Sequence, residues 1–408
     1  MTENEIINFL NGRNYDIRMH HNARWIDQKC TPDVLCIVAD CIINYLDSVG
    51  DGSTFTSKDI WFSEYAIQNV HDIFSKVDVD SSSASNEYDK FFGQPIKLFA
   101  YAGLLAERKQ GRNNIYEPLN RDMLEYIALR ERNALAFLTH YIRKVLADSC
   151  LTTAFDEFFR IQTQESYITL KERFFTFTVN NTDIGSKGSD GRFECGRIFT
   201  KVINILAFKL RKRGTERGRI SQYAITYDML MYNRDNFRDI YADKPKDVAR
   251  KDFLAAQHIV INEAYFAYQS QKAKSRLRKF NDRYRNGVSE MPNDMEKATH
   301  IHHIFPASEY PEISFYLENL MALTPNQHLN HAHPNGNTTL IDRDYQHDCL
   351  IIKVDNIKDN LENAEVKIYS FEDLLQVLYI GFDEISFLGI EQNDYDGIKT
   401  KIELEYLV

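Results

Sequence analysis

The sequence lacks two features that would place a protein in or outside a membrane: a long apolar run and a cysteine framework. No apolar stretch reaches the roughly 18 residues that a membrane span needs. The first residues, Met1 to Ile6, have neither the basic stretch nor the apolar core of a signal peptide. The six cysteines are scattered, with no Cys-x-x-Cys pair, which argues against a cysteine zinc site or a disulfide-stapled fold. We therefore expect a cytoplasmic protein with no membrane partner.

The charge balance is acidic overall but the basic residues are grouped. A formal charge of −10 is not typical of a nucleic-acid-binding protein. Residues 209–219 nevertheless hold six basic residues and one acidic one, and residues 272–285 hold seven Lys or Arg and one Asp. The basic residues singled out in these runs are Arg211, Lys212, Arg213, Arg217 and Arg219 in the first, and Lys272, Arg276, Lys279 and Arg283, which share one helix face, in the second.

Each basic run has two interpretations. A single run is usually a solvated surface, but two runs in a net-acidic chain are better explained by phosphate contacts, because the acidic remainder suppresses indiscriminate binding. We expect double-stranded DNA as the partner, bound by at least one of the runs.

The length of 408 residues allows several domains, and composition divides the chain into sections. Residues 1–120 combine apolar-periodic helices, one beginning at Pro32, with a strand, a turn at Gly111 and a return strand. Helices followed by a basic hairpin resemble a winged-helix DNA-recognition domain; a small helical domain with a surface hairpin is the alternative. Residues 121–290 are predicted to be a helical region that binds DNA or links domains.

Histidine is concentrated in one place, since six of the twelve histidines lie between residues 300 and 333. Imidazole binds divalent metals and takes a proton near neutral pH. Residues 301–305 have strand character that Pro306 ends, and residues 319–323 are typical of a return strand. Thr324 followed by Pro325 predicts a helix start. Two short strands and one helix hold little core, so a bound ion would help to fix the unit.

These residues resemble the His-Asn-His (HNH) nuclease family, which has a ββα-metal fold. The resemblance rests on His302, then His303 with Ile304-Phe305-Pro306, then Asn319-Leu320, and on His328 nine residues after the asparagine. It covers residues 299–337. We therefore expect a helix-rich, multi-domain α+β chain with the nuclease motif at residues 291–345.

The resemblance implies a role for each residue. His303 would be the general base that draws a proton from the attacking water. His302 and His328 would hold one divalent cation against the scissile phosphate and the leaving 3′ oxygen. Asn319 would orient the His303 loop through hydrogen bonds. His331 would bind phosphate or act as an extra ligand.

Two histidines in the cluster receive weaker assignments. For His300 we expect a structural hydrogen bond, and for His333 a place at the helix end, with a ligand role as its alternative. The first ligand is histidine where the family commonly has aspartate, which favours softer ions such as Mn²⁺, Ni²⁺ or Zn²⁺. Mg²⁺ remains the first expectation, as one divalent cation per site.

The setting of the motif suggests the class of enzyme. A basic helical section and a winged helix upstream resemble a type II restriction endonuclease of the HNH class, which would leave 5′-phosphate and 3′-hydroxyl ends. Such an enzyme is expected to be a homodimer, because a two-fold protein matches a palindromic target. Two alternatives stay open: a homing, phage-defence or modification-dependent HNH nuclease, and a non-enzymatic DNA-binding regulator with a structural metal.

The C-terminal section, residues 346–408, is expected to be an α/β segment for packing or dimerisation. It has strand-like runs at residues 350–354 and 365–369 and an apolar helix at residues 371–379.

Overall fold

The computed structural model describes the following residues: 1–50, 52–74, 76, 79, 84–111, 113–184, 191–232, 248, 263–292, 295–333 and 341–407. These residues are mostly helical, with three two-stranded antiparallel sheets among them. The predicted α+β class is confirmed at this level. The chain divides into two compact units, residues 1–236 and residues 237–408. None of the described helices has both the length and the apolar character needed to cross a membrane.

The first unit is built mainly from helices. They span Glu3–Asn11, Ile17–His20, Pro32–Val49, Ser57–Trp61, Glu64–Phe74, Ala84–Ala102, Arg121–Leu129, Glu131–Asp148, Thr152–Ile161, Gln164–Asn181 and Gly191–Lys209. Two hairpins accompany them, β1 (Leu105–Gln110) with β2 (Asn113–Pro118), and β3 (Arg213–Glu216) with β4 (Arg219–Ala224).

The Pro32–Val49 helix forms much of the core of this unit. Proline occupies its first turn, where no backbone N–H is needed. Its buried side chains pack against the helices Arg121–Leu129 and Glu131–Asp148. Burial on several faces explains why this segment is apolar nearly throughout rather than along a single stripe.

The predicted hairpin between residues 104 and 118 is present as β1 and β2. A third chain segment joins it, because Phe55 N donates to Tyr116 O at 2.9 Å and Tyr116 N donates to Phe55 O at 2.8 Å. The turn residue Arg112 lies outside the described residues. The hairpin is thus tied to the segment between the Pro32–Val49 and Ser57–Trp61 helices.

The second unit holds the six histidines between residues 300 and 333. Its elements are the helix Glu263–Tyr284, strands β5 (His300–His303) and β6 (Leu320–Leu323), the π-helical segment Gln327–Ala332, and the helices Arg343–Asn363, Phe371–Phe382 and Tyr395–Tyr406. The strands β5 and β6 are antiparallel, with His302 opposite Met321 and His303 opposite Leu320. Both predicted strands are therefore present, and β5 ends before Pro306.

The strand predictions at residues 350–354 and 365–369 are wrong. Residues 350–354 lie inside the helix Arg343–Asn363, and residues 365–369 form no strand. The Asp342 side chain accepts from Tyr345 N at 2.9 Å, which caps the helix. Its buried positions recur every three or four residues, so burial on one helix face outweighs the β-propensity of the apolar run. The predicted helix at residues 371–379 is confirmed and extends to Phe382.

A buried ion pair joins β6 to the helix Arg343–Asn363. Lys353 Nζ lies 3.1 Å from Glu290 Oε2, and both side chains are 1% exposed. Glu290 Oε1 accepts from Ala322 N at 2.9 Å, and Glu290 N donates to Ala322 O at 2.8 Å. The Tyr369 hydroxyl lies 2.8 Å from Lys353 Nζ. Glu290 therefore holds β6 through one backbone hydrogen bond and one side-chain hydrogen bond.

We predict that Glu290→Gln destabilises the protein by about 3–5 kcal/mol at neutral pH, because it leaves a buried ammonium without its counter-ion. Burial lowers the pKa of Lys353, and Glu290 opposes that effect. The penalty in the variant should therefore shrink as the pH rises toward the ordinary lysine value of 10.5, where Lys353 can fold uncharged.

Urea unfolding at neutral pH and at about pH 9.5 measures this difference. The matched control is Glu362→Gln, which changes an exposed carboxylate on the helix that carries Lys353. It should change the free energy of unfolding by less than about 0.5 kcal/mol. Equal stability of the two variants at neutral pH would contradict the structural role assigned to the pair.

Candidate functional site

The short strand β5 carries two adjacent histidines with different surroundings. Successive strand residues point to opposite faces, so His302 and His303 separate. The His302 side chain is 2% exposed, whereas His303 is half-buried. One position therefore suits an enclosed ligand and the other a group that reaches a substrate.

Three imidazoles converge on one point. The nearest ring nitrogens of His302, His328 and His333 all lie within 4.8 Å of one another. Their ring centroids are 5.3 Å apart for His302 and His328, 5.2 Å for His302 and His333, and 4.8 Å for His328 and His333. We refer to these residues as the histidine cluster.

Two members of the histidine cluster have the protonation state that metal binding requires. Burial, and then neighbouring histidines, lower the pKa of His302 well below the usual value and that of His328 to about 4. Their rings are therefore neutral at pH 7, with a lone pair available to a metal. His328 Nδ1 is buried and makes no hydrogen bond within the described part of the chain. A buried nitrogen without a partner is costly, and a metal ion would satisfy it.

His303 has the geometry of a general base. Its Nε2 lies 2.9 Å from Ser314 O and 3.2 Å from Ser270 Oγ. A carbonyl oxygen only accepts, so Nε2 carries the proton and Nδ1 carries the lone pair. Burial, and then the charge of Lys274, lower the pKa of His303 to about 4. The ring is neutral at pH 7 and able to accept a proton.

The Asn319 side chain makes hydrogen bonds to the backbone of the chain that follows His303. The residue is 0% exposed. Its Oδ1 accepts from Phe305 N at 2.8 Å, and its Nδ2 donates to Phe305 O at 3.0 Å and to Ile313 O at 3.2 Å. These bonds tie Asn319 to the loop after β5; that it orients His303 stays a prediction.

The predicted helix start is confirmed, but its geometry changes which histidine joins the cluster. Thr324 Oγ1 accepts from Gln327 N at 3.2 Å. The segment Gln327–Ala332 is then π-helical, a form whose bonds join residues five apart. His333 follows His328 by five residues and comes beside it. His331 instead stacks on Tyr345, with ring centroids 5.7 Å apart.

The third member of the cluster is His333, which lies at the C-terminal end of the π-helical segment, as the sequence predicts. His331, predicted to bind phosphate or to act as an extra ligand, is not part of the cluster. His300 stacks on the His328 ring at 5.0 Å. The five-residue spacing of His328 and His333 indicates a shared site only if the segment is not a regular α-helix. In an α-helix, side chains five residues apart do not align.

The Glu263–Tyr284 helix brings two residues to the site that the sequence did not single out. Ser270 contacts His303, and Lys274 influences the pKa of His302, His303 and His328. The predicted DNA-binding face of this helix is a different one. On it, Lys272 lies over the Tyr268 ring at 4.9 Å, Arg276 is half-buried, and Lys279 and Arg283 are exposed.

The first basic run forms the end of a helix and the β3–β4 hairpin. The exposed members are Lys209, Arg211, Lys212, Arg217 and Arg219. Arg213 is half-buried, and its guanidinium donates to Gln162 O. This run belongs to the first unit and the histidine cluster to the second.

Comparison with protein-family models, curated proteins and solved structures finds no match to this chain. The interpretation of the site therefore depends on its own geometry and chemistry.

We predict that His333→Ala weakens metal binding while His331→Ala does not. Losing one of three ligands should cost at least the roughly 10–100-fold in affinity that loss of an outer-shell partner costs. Calorimetric titration with Zn²⁺, Ni²⁺ and Mn²⁺ measures it. A loss of affinity in His331→Ala, with His333→Ala unchanged, would show that the wrong imidazoles are assigned.

Proposed function

We propose that this chain is a metal-dependent endonuclease that hydrolyses phosphodiester bonds of double-stranded DNA, leaving 5′-phosphate and 3′-hydroxyl ends. One observation carries the proposal. Three imidazoles converge, and a fourth, His303, has one nitrogen that donates to Ser314 O and another that is available as a base.

The order and pairing of elements support an HNH-type, ββα-metal site. Two antiparallel strands are followed directly by a helical segment. His302 and His303 lie on the first strand, Asn319 immediately precedes the second, and His328 lies in the helical segment. These are the positions that the resemblance to the HNH family implies.

The donor set indicates which metal the site would hold. Mg²⁺ prefers oxygen ligands, whereas imidazole suits Zn²⁺, Ni²⁺ and related ions. His302, His328 and His333 offer three nitrogens and no carboxylate. We therefore propose a transition-metal ion in preference to Mg²⁺. Bound there, it would supply Lewis-acid stabilisation of the charge that develops on the phosphate and the leaving oxygen.

The protein's own groups would carry out the proton transfers. His303 Nδ1 accepts the proton of the attacking water as the new bond between that water's oxygen and phosphorus forms. The bond from phosphorus to the 3′ oxygen breaks, and the leaving oxygen takes a proton from solvent water. Ser314 O and Ser270 Oγ keep the imidazole oriented throughout.

The first unit supports a DNA-recognition role. Along the chain, the helix Pro32–Val49 is followed by the single bridging residue Phe55 and by further helices, the last of which is Ala84–Ala102. The β1–β2 hairpin comes next. Phe55 pairs with β2 and so takes the place of the first strand of a winged helix. We propose a winged-helix module here, with the exposed arginines of the β3–β4 hairpin as further phosphate contacts.

We further propose site-specific cleavage of the type II restriction kind by a homodimer, because a two-fold enzyme can place one site on each strand of a palindrome.

The test is digestion of plasmid DNA by the full chain with Zn²⁺, Ni²⁺, Mn²⁺ or Mg²⁺. We expect discrete fragments with at least one transition metal. His303→Ala should lower the cleavage rate by about 10²–10⁴-fold, because it removes the general base, and should leave DNA and metal binding near those of the unaltered protein.

Three outcomes would each contradict part of the proposal. No cleavage with any metal overturns the nuclease function and leaves a structural metal site. A ladder of random fragments overturns site specificity. Full activity of His303→Ala overturns the assignment of the base.

A further inference from the structure

Lys274 lies on the Glu263–Tyr284 helix, outside the strands and the π-helical segment that carry the histidines. It follows Ser270 by four residues, and residues four apart share a helix face. Ser270 Oγ is 3.2 Å from His303 Nε2, so this face of the Glu263–Tyr284 helix is turned toward the base. The charge of Lys274 also lowers the pKa of His302, His303 and His328.

Lys274 differs from the other enclosed lysines in having no acidic partner among the residues that the structure describes. Lys353 pairs with Glu290 at 3.1 Å, and Lys29 and Lys76 each pair with Glu87 at 2.7 Å. Lys274 is half-buried, and the charged group that acts on it is Arg278, one turn further along. Burial and then Arg278 lower the pKa of Lys274. An enclosed ammonium beside like charge is unfavourable unless an anion joins it.

Other histidines and Lys274 are the charged groups that act on His302, His303 and His328 in the part of the chain that the structure describes. A divalent cation at the cluster would add further positive charge. With the cation bound, the site would carry net positive charge and would be complementary to a phosphate.

We infer that Lys274 binds a non-bridging oxygen of the scissile phosphate, on the side of His303 and apart from the metal. The inference rests on the proposed function and extends its machinery to the Glu263–Tyr284 helix. The ammonium would be a point charge fixed by its half-buried stem, placed to stabilise the charge that grows on the phosphate as the bond to the 3′ oxygen breaks.

The first experiment compares Lys274→Met, Lys274→Arg and the control Lys297→Met. Lys297 is an exposed lysine of the same unit, outside both basic runs, so its variant makes the same change of charge. We expect Lys274→Met to lower kcat on plasmid DNA by about 10²-fold, as removal of a preorganised donor does. Lys274→Arg should recover part of the rate, and Lys297→Met should behave as the unaltered protein.

Binding separates this inference from the proposed function. With the Zn²⁺-loaded full chain, inorganic phosphate and a short DNA duplex are the probes. We expect Lys274→Met to bind phosphate about tenfold more weakly than Lys297→Met, and its log–log salt dependence on the duplex to fall by about 0.9. Zn²⁺ affinity should not fall, because Lys274 is not a ligand and repels the cation.

Thermal unfolding excludes a merely structural role. Removing an enclosed, unpaired charge should leave Lys274→Met no less stable than the unaltered protein. If the protein does not cut DNA but Lys274→Met still loses phosphate affinity, the anion site stands and the nuclease proposal fails. Equal phosphate affinity and equal salt dependence in Lys274→Met and Lys297→Met overturn the inference, whether or not the protein cuts DNA.

Discussion

The histidine cluster depends on the buried carboxylate of Glu290. It accepts a bond from Ala322 N in the middle of β6 and pairs with Lys353 on the helix Arg343–Asn363. A shift of β6 by one residue would take Ala322 N away from the Glu290 carboxylate and leave a buried acceptor with one bond fewer, at a cost of about 1–3 kcal/mol. The same shift would turn the side chains of β6 to the opposite face of the strand pair. Glu290, which lies outside the cluster, thus helps to hold the pairing of β6 with the strand that carries His302.

Local signals were sufficient for the frame of the site and insufficient for its full membership. Pattern alone predicts the two strands and the helix start, because the signals for them act within a few residues. These signals are Pro306, the Thr324-Pro325 helix start and the spacing of Asn319. His333 depends on a π-helical turn, which no residue type announces. Ser270 and Lys274 depend on how a distant helix packs. The failed strand prediction at residues 350–354 has the same origin, because tertiary burial outweighed local propensity.

A π-helical segment is less stable than an α-helix, so we expect an interaction that compensates for it. Its hydrogen bonds are weaker than those of an α-helix, and such turns occur mostly as short interruptions, frequently at functional sites. Here the segment runs from Gln327 to Ala332, and His333 follows it in extended backbone. His331 stacks on Tyr345, and His333 lies beside His328. The free energy of binding a metal to three imidazoles would offset the lower stability of the irregular backbone.

The contrast between the acidic chain and its cationic site bears on how DNA would be selected. A formal charge of −10 repels a polyanion at long range. At physiological ionic strength that repulsion is screened beyond about 8 Å, whereas an enclosed ammonium such as Lys274 is screened much less. Contact would therefore be favourable only where phosphates reach local basic groups. For the proposed endonuclease, weak general attraction would leave the local fit to decide which DNA is bound.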